Sequence, residues 1–377
     1  MSPRRVKALA KKEFIQMRRD VRSLIGAIFI PLLMIFLFGY ALSLDVDRIP
    51  TLAYDRDQTP TSRDFIQRFS ESSYFTVVEF IDRDDKIDRD LTGGRALMAL
   101  VIPNGFGAKV KQGQKAPVQV IFDGSDSNTA TIALGYVKAV VAGFDLDIQS
   151  SRIKKAGLKM AAMPLELRIR VWFNPEMKSK NFIIPGLTAV ILMTICSLMT
   201  ALTVAKERET KTLEQLISTP LTSGELLAGK LLPYILVGLL DLALVVGFGV
   251  FVFQVPFRGS LIELLVFSLI FLVGALSWGL FLSVTAKNQL QASQLAMISV
   301  FLPSFLLSGF IYPIENMPLA LRIITYVVPA RYFVEIMKGL FLQGVGLKHL
   351  WPQAAALALY SFLVLNLARK KFSKRLL

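Results

Sequence analysis

Six stretches of this 377-residue chain run for 19 to 27 residues with almost no formal charge, and they constrain its fold more than any other feature. They are 23–44, 181–205, 231–257, 264–286, 288–314 and 350–368, and Asp241 is the one formally charged side chain inside any of them. A hydrocarbon core about 30 Å thick needs roughly 20 apolar residues of helix. Backbone polar groups at that depth must be satisfied within the segment, so the runs are read as helices and not as open sheet. A single buried soluble helix can be apolar on every side, but six in one chain argue against that reading. With 53% hydrophobic and 19% charged residues, the chain is too apolar for an ordinary soluble domain, where about 25% are charged, and for a disordered one.

Charge placement predicts the topology. Residues 1–22 carry eight Lys/Arg against Glu13 and Asp20, a net of +6, and the tail 369–377 carries +5. Segment 206–230 balances at four and four, and Lys287 adds one more basic residue between the fourth and fifth spans. Lys and Arg favour the cytoplasmic side, so both termini of this multi-pass membrane protein are expected in the cytoplasm. The net charge of +15 is then a topology signal and not a footprint for nucleic acid. The first run is longer than a signal-peptide core and is read as a retained anchor. One cysteine (Cys196) and one histidine (His349) exclude an intrachain disulfide, a cysteine metal cluster and a His–His relay.

Segment 45–180 is expected outside, with 20 basic and 18 acidic residues among its 136. Ile49–Tyr54, Tyr74–Ile81, Ala96–Ile102, Val118–Phe122 and Leu167–Phe173 read as strands. Thr61–Ser72, Asp82–Leu91 (closed by Gly93 and Gly94) and Asp126–Lys159 read as helices. The predicted fold is a polytopic α-helical membrane protein with six transmembrane helices and an α+β extracytoplasmic domain. Asp82, Asp84, Asp85, Asp88 and Asp90 are interleaved with Arg83, Lys86 and Arg89, which suits a solvated helix better than a calcium loop.

Three segments are candidates for function. In residues 1–22, Val6, Leu9, Ala10, Phe14, Met17 and Val21 share one helical face amid basic residues, the pattern of a helix lying at the lipid interface with its cations at anionic headgroups. The alternative is a basic tail that only sets orientation. In 206–221, Glu207 and Lys211 form a favourable i,i+4 pair, and Leu213, Leu216 and Ile217 make a narrow apolar strip ended by Pro220. Such a strip suits docking into another protein's groove or packing within the chain. In 315–349, short apolar pieces are broken by Pro318, Pro329 and Arg331. Broken backbone at membrane depth must be buried in protein or line a cavity, so this is read as a re-entrant wall of an outer vestibule, or else as surface helices outside the bilayer. Asp241 is a functional candidate by its position, for a cationic substrate or a proton, with a hydrogen-bonded helix contact as the plainer role.

Glu207-Arg208-Glu209, followed by Thr212-Leu213-Glu214-Gln215-Leu216 and Thr219-Pro220-Leu221, resembles the ATPase-coupling segment of type-2 ATP-binding-cassette (ABC) exporter permeases. Leu307-Ser308-Gly309-Phe310-Ile311-Tyr312-Pro313-Ile314-Glu315-Asn316-Met317-Pro318, with Val328-Pro329-Ala330-Arg331-Tyr332-Phe333 after it, resembles that family's re-entrant region before the last span. Arg170-Val171-Trp172-Phe173-Asn174-Pro175 resembles the subgroup with a large insert between spans one and two. The family usually has Gly immediately before the Thr-Leu-Glu motif, where this chain has Lys211.

The resemblance implies a transport subunit that is not itself an enzyme and binds no cofactor, working with separate ABC ATPase subunits that hold ATP and Mg. It also implies a second permease in a homodimer or heterodimer. For the subgroup, it implies a periplasmic adaptor protein and an outer-membrane channel. A drug-like or lipid-like amphipath would be exported past Asp241, Ser308, Gly309, Tyr312 and Pro313, with membrane lipids around the spans and no nucleic acid involved. Gly224 to Lys230 approaches a phosphate loop, but Leu231 stands where Ser or Thr is required. Two alternatives remain at this stage: an ABC-driven mechanotransmission protein that moves no cargo, and an ion-coupled secondary transporter centred on Asp241.

Overall fold

The apolar runs are built almost wholly as helix in a computed structural model that describes residues 2–41, 48–155, 172–174, 178–217 and 219–375. Two units separate, one of residues 1–43 with 170–377 and one of residues 44–169.

The first unit is a helical bundle. It begins with α1 (Pro3–Arg19) and α2 (Val21–Ala41), whose axes differ by 69°. After α7 (Ser179–Glu209) come α8 (Thr212–Ile217), α9 (Ser223–Phe251) and α10 (Leu261–Thr285). Next, α11 (Gln289–Ala296), a π-helical stretch (Met297–Phe301) and α12 (Leu302–Leu306) make one helical run. The chain ends with α13 (Leu319–Thr325), α14 (Pro329–Lys338) and α15 (Leu347–Arg375). Of these, α7, α9, α10 and α15 are each long and apolar enough to cross a membrane, as is the bent pair α1–α2 taken as one.

Small and hydroxyl side chains bring α7 and α10 together. A Cβ on Gly279 would stand 2.1 Å from the Ser197 carbonyl oxygen and 2.2 Å from Thr200 Oγ1, so only glycine fits that crossing. Ser197 Oγ donates to the Ala275 carbonyl at 2.9 Å and Thr200 Oγ1 to the Leu276 carbonyl at 3.0 Å. Lipid gives no hydrophobic drive between helices, so close packing and interhelical hydrogen bonds do that work. The buried axis is α7, and Ile25, Phe29, Leu236, Leu240, Phe362 and Leu363 are exposed on α2, α9 and α15 as a lipid-facing side requires.

Helix ends depart from the charge-free runs for identifiable reasons. The third predicted span, 231–257, starts at Ser223, because Thr222 and Glu225 form a capping box two turns before the charge-free stretch. It stops at Phe251, with Gln254 at φ +56. The fifth, 288–314, ends at Leu306: Gly309 has φ +78, and Leu307–Pro313 is an irregular loop of apolar residues that charge counting cannot tell from helix. The sixth, 350–368, extends from Leu347 through the basic residues to Arg375. The first, 23–44, is helical from Val21 to Ala41, and 42–44 lie outside the described residues.

The second unit is α+β. Strands β1 (Ile49–Asp55), β2 (Phe75–Phe80), β3 (Met98–Ile102) and β4 (Gln119–Phe122) form a sheet in the order β2-β1-β3-β4. β1 is parallel to β2 and β3, and β4 is antiparallel to β3. Helices α3 (Pro60–Glu71), α5 (Phe106–Gln112) and α6 (Ser127–Lys155) cover one face through Phe65, Phe69, Phe106, Val137 and Phe144. Helix α4 (Asp85–Thr92) covers the other through Ile87. α6 is also apolar enough to cross a membrane by composition, but its Ala133, Val137 and Phe144 are committed to this core.

The unpredicted element is α5. Its first turn is held by Asp57, which accepts from the Gly105 and Gly107 N–H groups at 2.7 and 2.8 Å and from Thr59 Oγ1 at 2.6 Å. The Thr59 hydroxyl is the first cause that lowers the Asp57 pKa below its ordinary value, and the backbone donors add to it. A cap supplied from some fifty residues away leaves no local signature. The predicted strand to Phe173 falls mostly outside the described residues, as do Arg170, Val171, Pro175 and the helix end beyond 155; Trp172–Asn174 are described and are not strand.

Candidate functional site

The junction of α1, α7, α8 and α9 forms a charged neck at one end of the bundle. α1 packs on α9, with Leu9 against Gly229 so closely that a Cβ there would lie 2.7 Å from Leu9 Cδ2. The buried face of α1 is Leu9, Glu13 and Met17, spaced four apart. Of the residues predicted to share one apolar face, Phe14 and Val21 are exposed instead. An acid thus sits in the middle of the packed stripe, and it must be matched.

The match is a closed cycle of four charges. Lys230 Nζ, only 1% exposed, lies 2.9 Å from Glu13 Oε1 and 2.7 Å from Glu207 Oε2. Lys12 Nζ lies 3.0 Å from Glu13 Oε1 and 2.5 Å from Glu207 Oε1. Each carboxylate touches both ammonium groups, so the cycle is neutral and joins α1, α7 and α9. Burial works against the Lys12 charge, but Glu13 and then Glu207 outweigh it and raise its pKa above the ordinary lysine value. Isolated charges at this burial would cost several kcal/mol each, and close pairing offsets that cost. Around the cycle, the Ser2 N–H donates to Glu225 at 2.6 Å, Arg5 donates to the Pro220 carbonyl at 2.7 Å, and Lys206 pairs with Asp20.

The sequence-predicted coupling residues divide by position. Glu207 is buried in the cycle and makes no i,i+4 pair with Lys211. Arg208 donates to the Val284 carbonyl at 3.2 Å and to that of Ala286, and Glu209 accepts from Gln289, so both brace α7 against the α10–α11 connection. Thr212 Oγ1 donates to the Glu207 carbonyl at 3.3 Å. Leu213 is half-buried against the bundle, whereas Glu214 and Gln215 are exposed. The Leu216 and Ile217 side chains lie outside the described residues. Lys211, between α7 and α8, has φ +56, in the left-handed region that glycine adopts without a Cβ penalty.

Beside the neck, α1, α2, α7 and α9 enclose a cleft of about 670 Å³. Its lining includes the charged Arg19, Asp20 and Lys206, the hydroxyls of Thr203 and Tyr234, and the apolar Leu198. The predicted path residues lie elsewhere. Asp241 is fully buried, and neither carboxyl oxygen has a hydrogen-bond partner among the described residues. One turn away on α9, Gly238 lies against Leu272 and Cys196. Ser308 is buried, Gly309 turns the loop after α12, and Tyr312 and Pro313 are exposed. The structure therefore separates Asp241, the 308–313 loop and the neck into three places.

Sequence reasoning missed Lys12, Glu13 and Lys230. Two signals were present: Glu13 falls four residues from both Leu9 and Met17 on the apolar stripe, and Lys230 directly precedes an apolar run with no acid three or four residues away on its own helix face. Neither is decisive until α1 is placed on α9.

A family model described as ABC-2 family transporter protein matches residues 21–370. The chain is 38% identical over 345 residues to a "Probable multidrug ABC transporter permease YbhS" of Escherichia coli (strain K12), covering 91% of this chain and 90% of that protein. It is 32% identical over 350 residues to a "Probable multidrug ABC transporter permease YbhR" of the same organism, covering 92% of each. It is 27% identical over 371 residues to an "Inner membrane transport permease YhhJ", also of that strain, covering 94% of this chain and 95% of that protein.

Proposed function

Because the chain belongs to the ABC-2 family of transporter proteins, and is thus a permease subunit and not itself an enzyme, we propose that it exports amphipathic, drug-like or lipid-like molecules using ATP hydrolysed on a partner ATPase. The observation that carries this reading is the neck. A short helix, α8, holds Glu214 and Gln215 out to solvent, and its base is tied through Glu207 to α1 and α9. A push on α8 is therefore delivered to three helices at once and not absorbed at a loose loop.

The cleft beside the neck supports the substrate class, since its lining of charged and apolar side chains suits a molecule with both characters. In this reading the neck faces the cytoplasm, which the basic residues of 1–22 and 369–375 favour. The 44–169 unit then lies on the periplasmic side. Its exposed Val78, Phe80, Val141 and Leu146 suit contact with an adaptor that leads to an outer-membrane channel. A second permease, identical or related, completes the transporter.

The test uses the permease reconstituted with its ATPase. Glu214→Lys combined with Gln215→Lys is expected to reduce permease-stimulated ATP hydrolysis to the rate of the ATPase alone while the permease remains folded. An unchanged stimulated rate removes the coupling assignment. These positions are preferable to Leu213→Asp, which would also disturb packing against the bundle.

A further inference from the structure

At the end of α7 away from the neck, buried polar atoms lack partners. Ser308 Oγ, Asn181 Oδ1, Arg331 Nε and Gln353 Oε1 are all buried without a hydrogen-bond partner among the described residues. Such atoms are uncommon in folded proteins and each one calls for a physical reason. Two of them flank the surroundings of Lys338 on α14. Its Nζ donates to the Gly309 carbonyl at 2.9 Å, next to Ser308, and stands 3.6 Å from the centroid of the Phe182 ring, next to Asn181.

An ammonium has three N–H donors, and this one places a single hydrogen bond, on a neutral carbonyl. Among the described residues Lys338 forms no ion pair. The acids whose fields reach it are Glu335 and Glu315, and Glu335 is engaged by Gln353 Nε2 at 2.9 Å. A half-buried cation with no acid in ion-pair contact among the described residues, and with Glu335 held by Gln353, keeps capacity for an arriving anion.

Arg331 lies seven residues earlier, two turns along the same face of α14. Its guanidinium covers the Tyr326 ring at 4.0 Å and donates to Thr325 Oγ1 at 2.5 Å, which leaves Nε unused. Beside it, α13 and the turn after it expose Leu319, Ile323 and Val327, an apolar shelf next to a cationic face.

The geometry points to an anion-binding site here, in which Lys338 holds the carboxylate or phosphate group of an amphiphile whose chain runs toward the Arg331 end of α14 and lies along Leu319, Ile323 and Val327. Ser308 Oγ, at the same loop, supplies a further donor. The part this site plays in export, as a release station on the far side of the membrane, rests on the transport reading above; the binding chemistry does not.

The probe is dodecyl phosphate, offered to the full chain with its ATPase in uncharged maltoside micelles, with bound ligand read by native mass spectrometry. Wild type is expected to retain it, Lys338→Gln to weaken binding by about tenfold or more, and Lys338→Arg to keep most of it. Dodecyltrimethylammonium should not compete. Equal affinity in Lys338→Gln overturns the proposal, and so does equal competition by the cationic detergent. Inorganic phosphate separates the sources: competition at the concentration of dodecyl phosphate would mark a free-anion site and overturn the amphiphile.

Should Lys338→Gln fail to fold, wild-type protein gives the answer through reductive methylation of Lys338. Dodecyl phosphate should slow that reaction and dodecyl maltoside should not; equal rates overturn the site. Wild-type protein that stimulates the ATPase but does not retain dodecyl phosphate would sink this site alone, and wild-type protein that retains it but keeps full stimulation in the Glu214→Lys/Gln215→Lys variant would sink the coupling assignment alone.

Discussion

At one end of α7, Glu207 shares two lysines with Glu13 and every charge of the buried cycle has an opposite neighbour within 3.0 Å. At the other end, roughly 40 Å along the helix axis, Lys338 contacts a carbonyl and a ring and forms no ion pair among the described residues, and Ser308, Asn181 and Arg331 each have a buried polar atom without a partner among them. The two ends share one helix and carry buried cations of similar kind, so the contrast is not a matter of composition. A matched cluster resists rearrangement, because breaking it exposes two or more charges to a poor solvent. An unmatched cluster has capacity left for a partner from outside the chain. Charges are therefore matched within the chain at the neck, while at the far end polar capacity is left over among the described residues.

The largest expected effect breaks the matched end. Lys230→Met leaves Glu13 and Glu207 sharing Lys12 alone and should destabilise the permease by about 3–5 kcal/mol. Denaturant unfolding in mixed micelles measures it, and a loss below about 1 kcal/mol would mean the cycle is not the closed, buried unit described here.

At the unmatched end the sign should reverse. Ser308→Ala removes a buried hydroxyl without a partner and should stabilise the ligand-free protein by about 1 kcal/mol. The same unfolding assay decides, and a destabilisation of that size would show that the hydroxyl has a partner after all. The smallest effect sharpens the comparison by showing where the neck does store strain, in its backbone. Lys211→Gly should stabilise by about 0.5–1 kcal/mol, since relief of a left-handed lysine is worth about 1–2 kcal/mol and added glycine entropy takes back about half of that. No gain, or a loss, would contradict the left-handed turn between α7 and α8. This turn also accounts for the family's usual glycine at that position.

How much was legible in the sequence varied with the range of the forces involved. The strands around Ile49–Asp55 and Phe75–Phe80 and the helix from Pro60 were legible because alternation, capping residues and glycine stops are local. The α5 helix was not, since Asp57 caps it from outside its own segment. Charge-free length found α7, α9, α10 and α15 but misplaced several ends, and the run 288–314 does not form one helix long enough to cross a membrane. Thr222 and Glu225 start α9 among charged residues, and Gly309 breaks an uncharged stretch that hydropathy alone continues to Ile314. The motif around Glu207 to Gln215 was found by resemblance, while the work of Glu207 in the buried cycle was invisible, because its partners Lys12 and Lys230 come from α1 and α9.

From the sequence alone came the membrane-spanning class, the α+β insert, the absence of a phosphate loop and the resemblance to ABC permeases. These depend on hydropathy and short-range pattern, which a linear reading contains. Only the tertiary structure decided which charges are buried and whether they are matched. Burial and ion pairing depend on distances between residues as far apart in the chain as Glu13 and Lys230, and those distances exist only once the helices have packed.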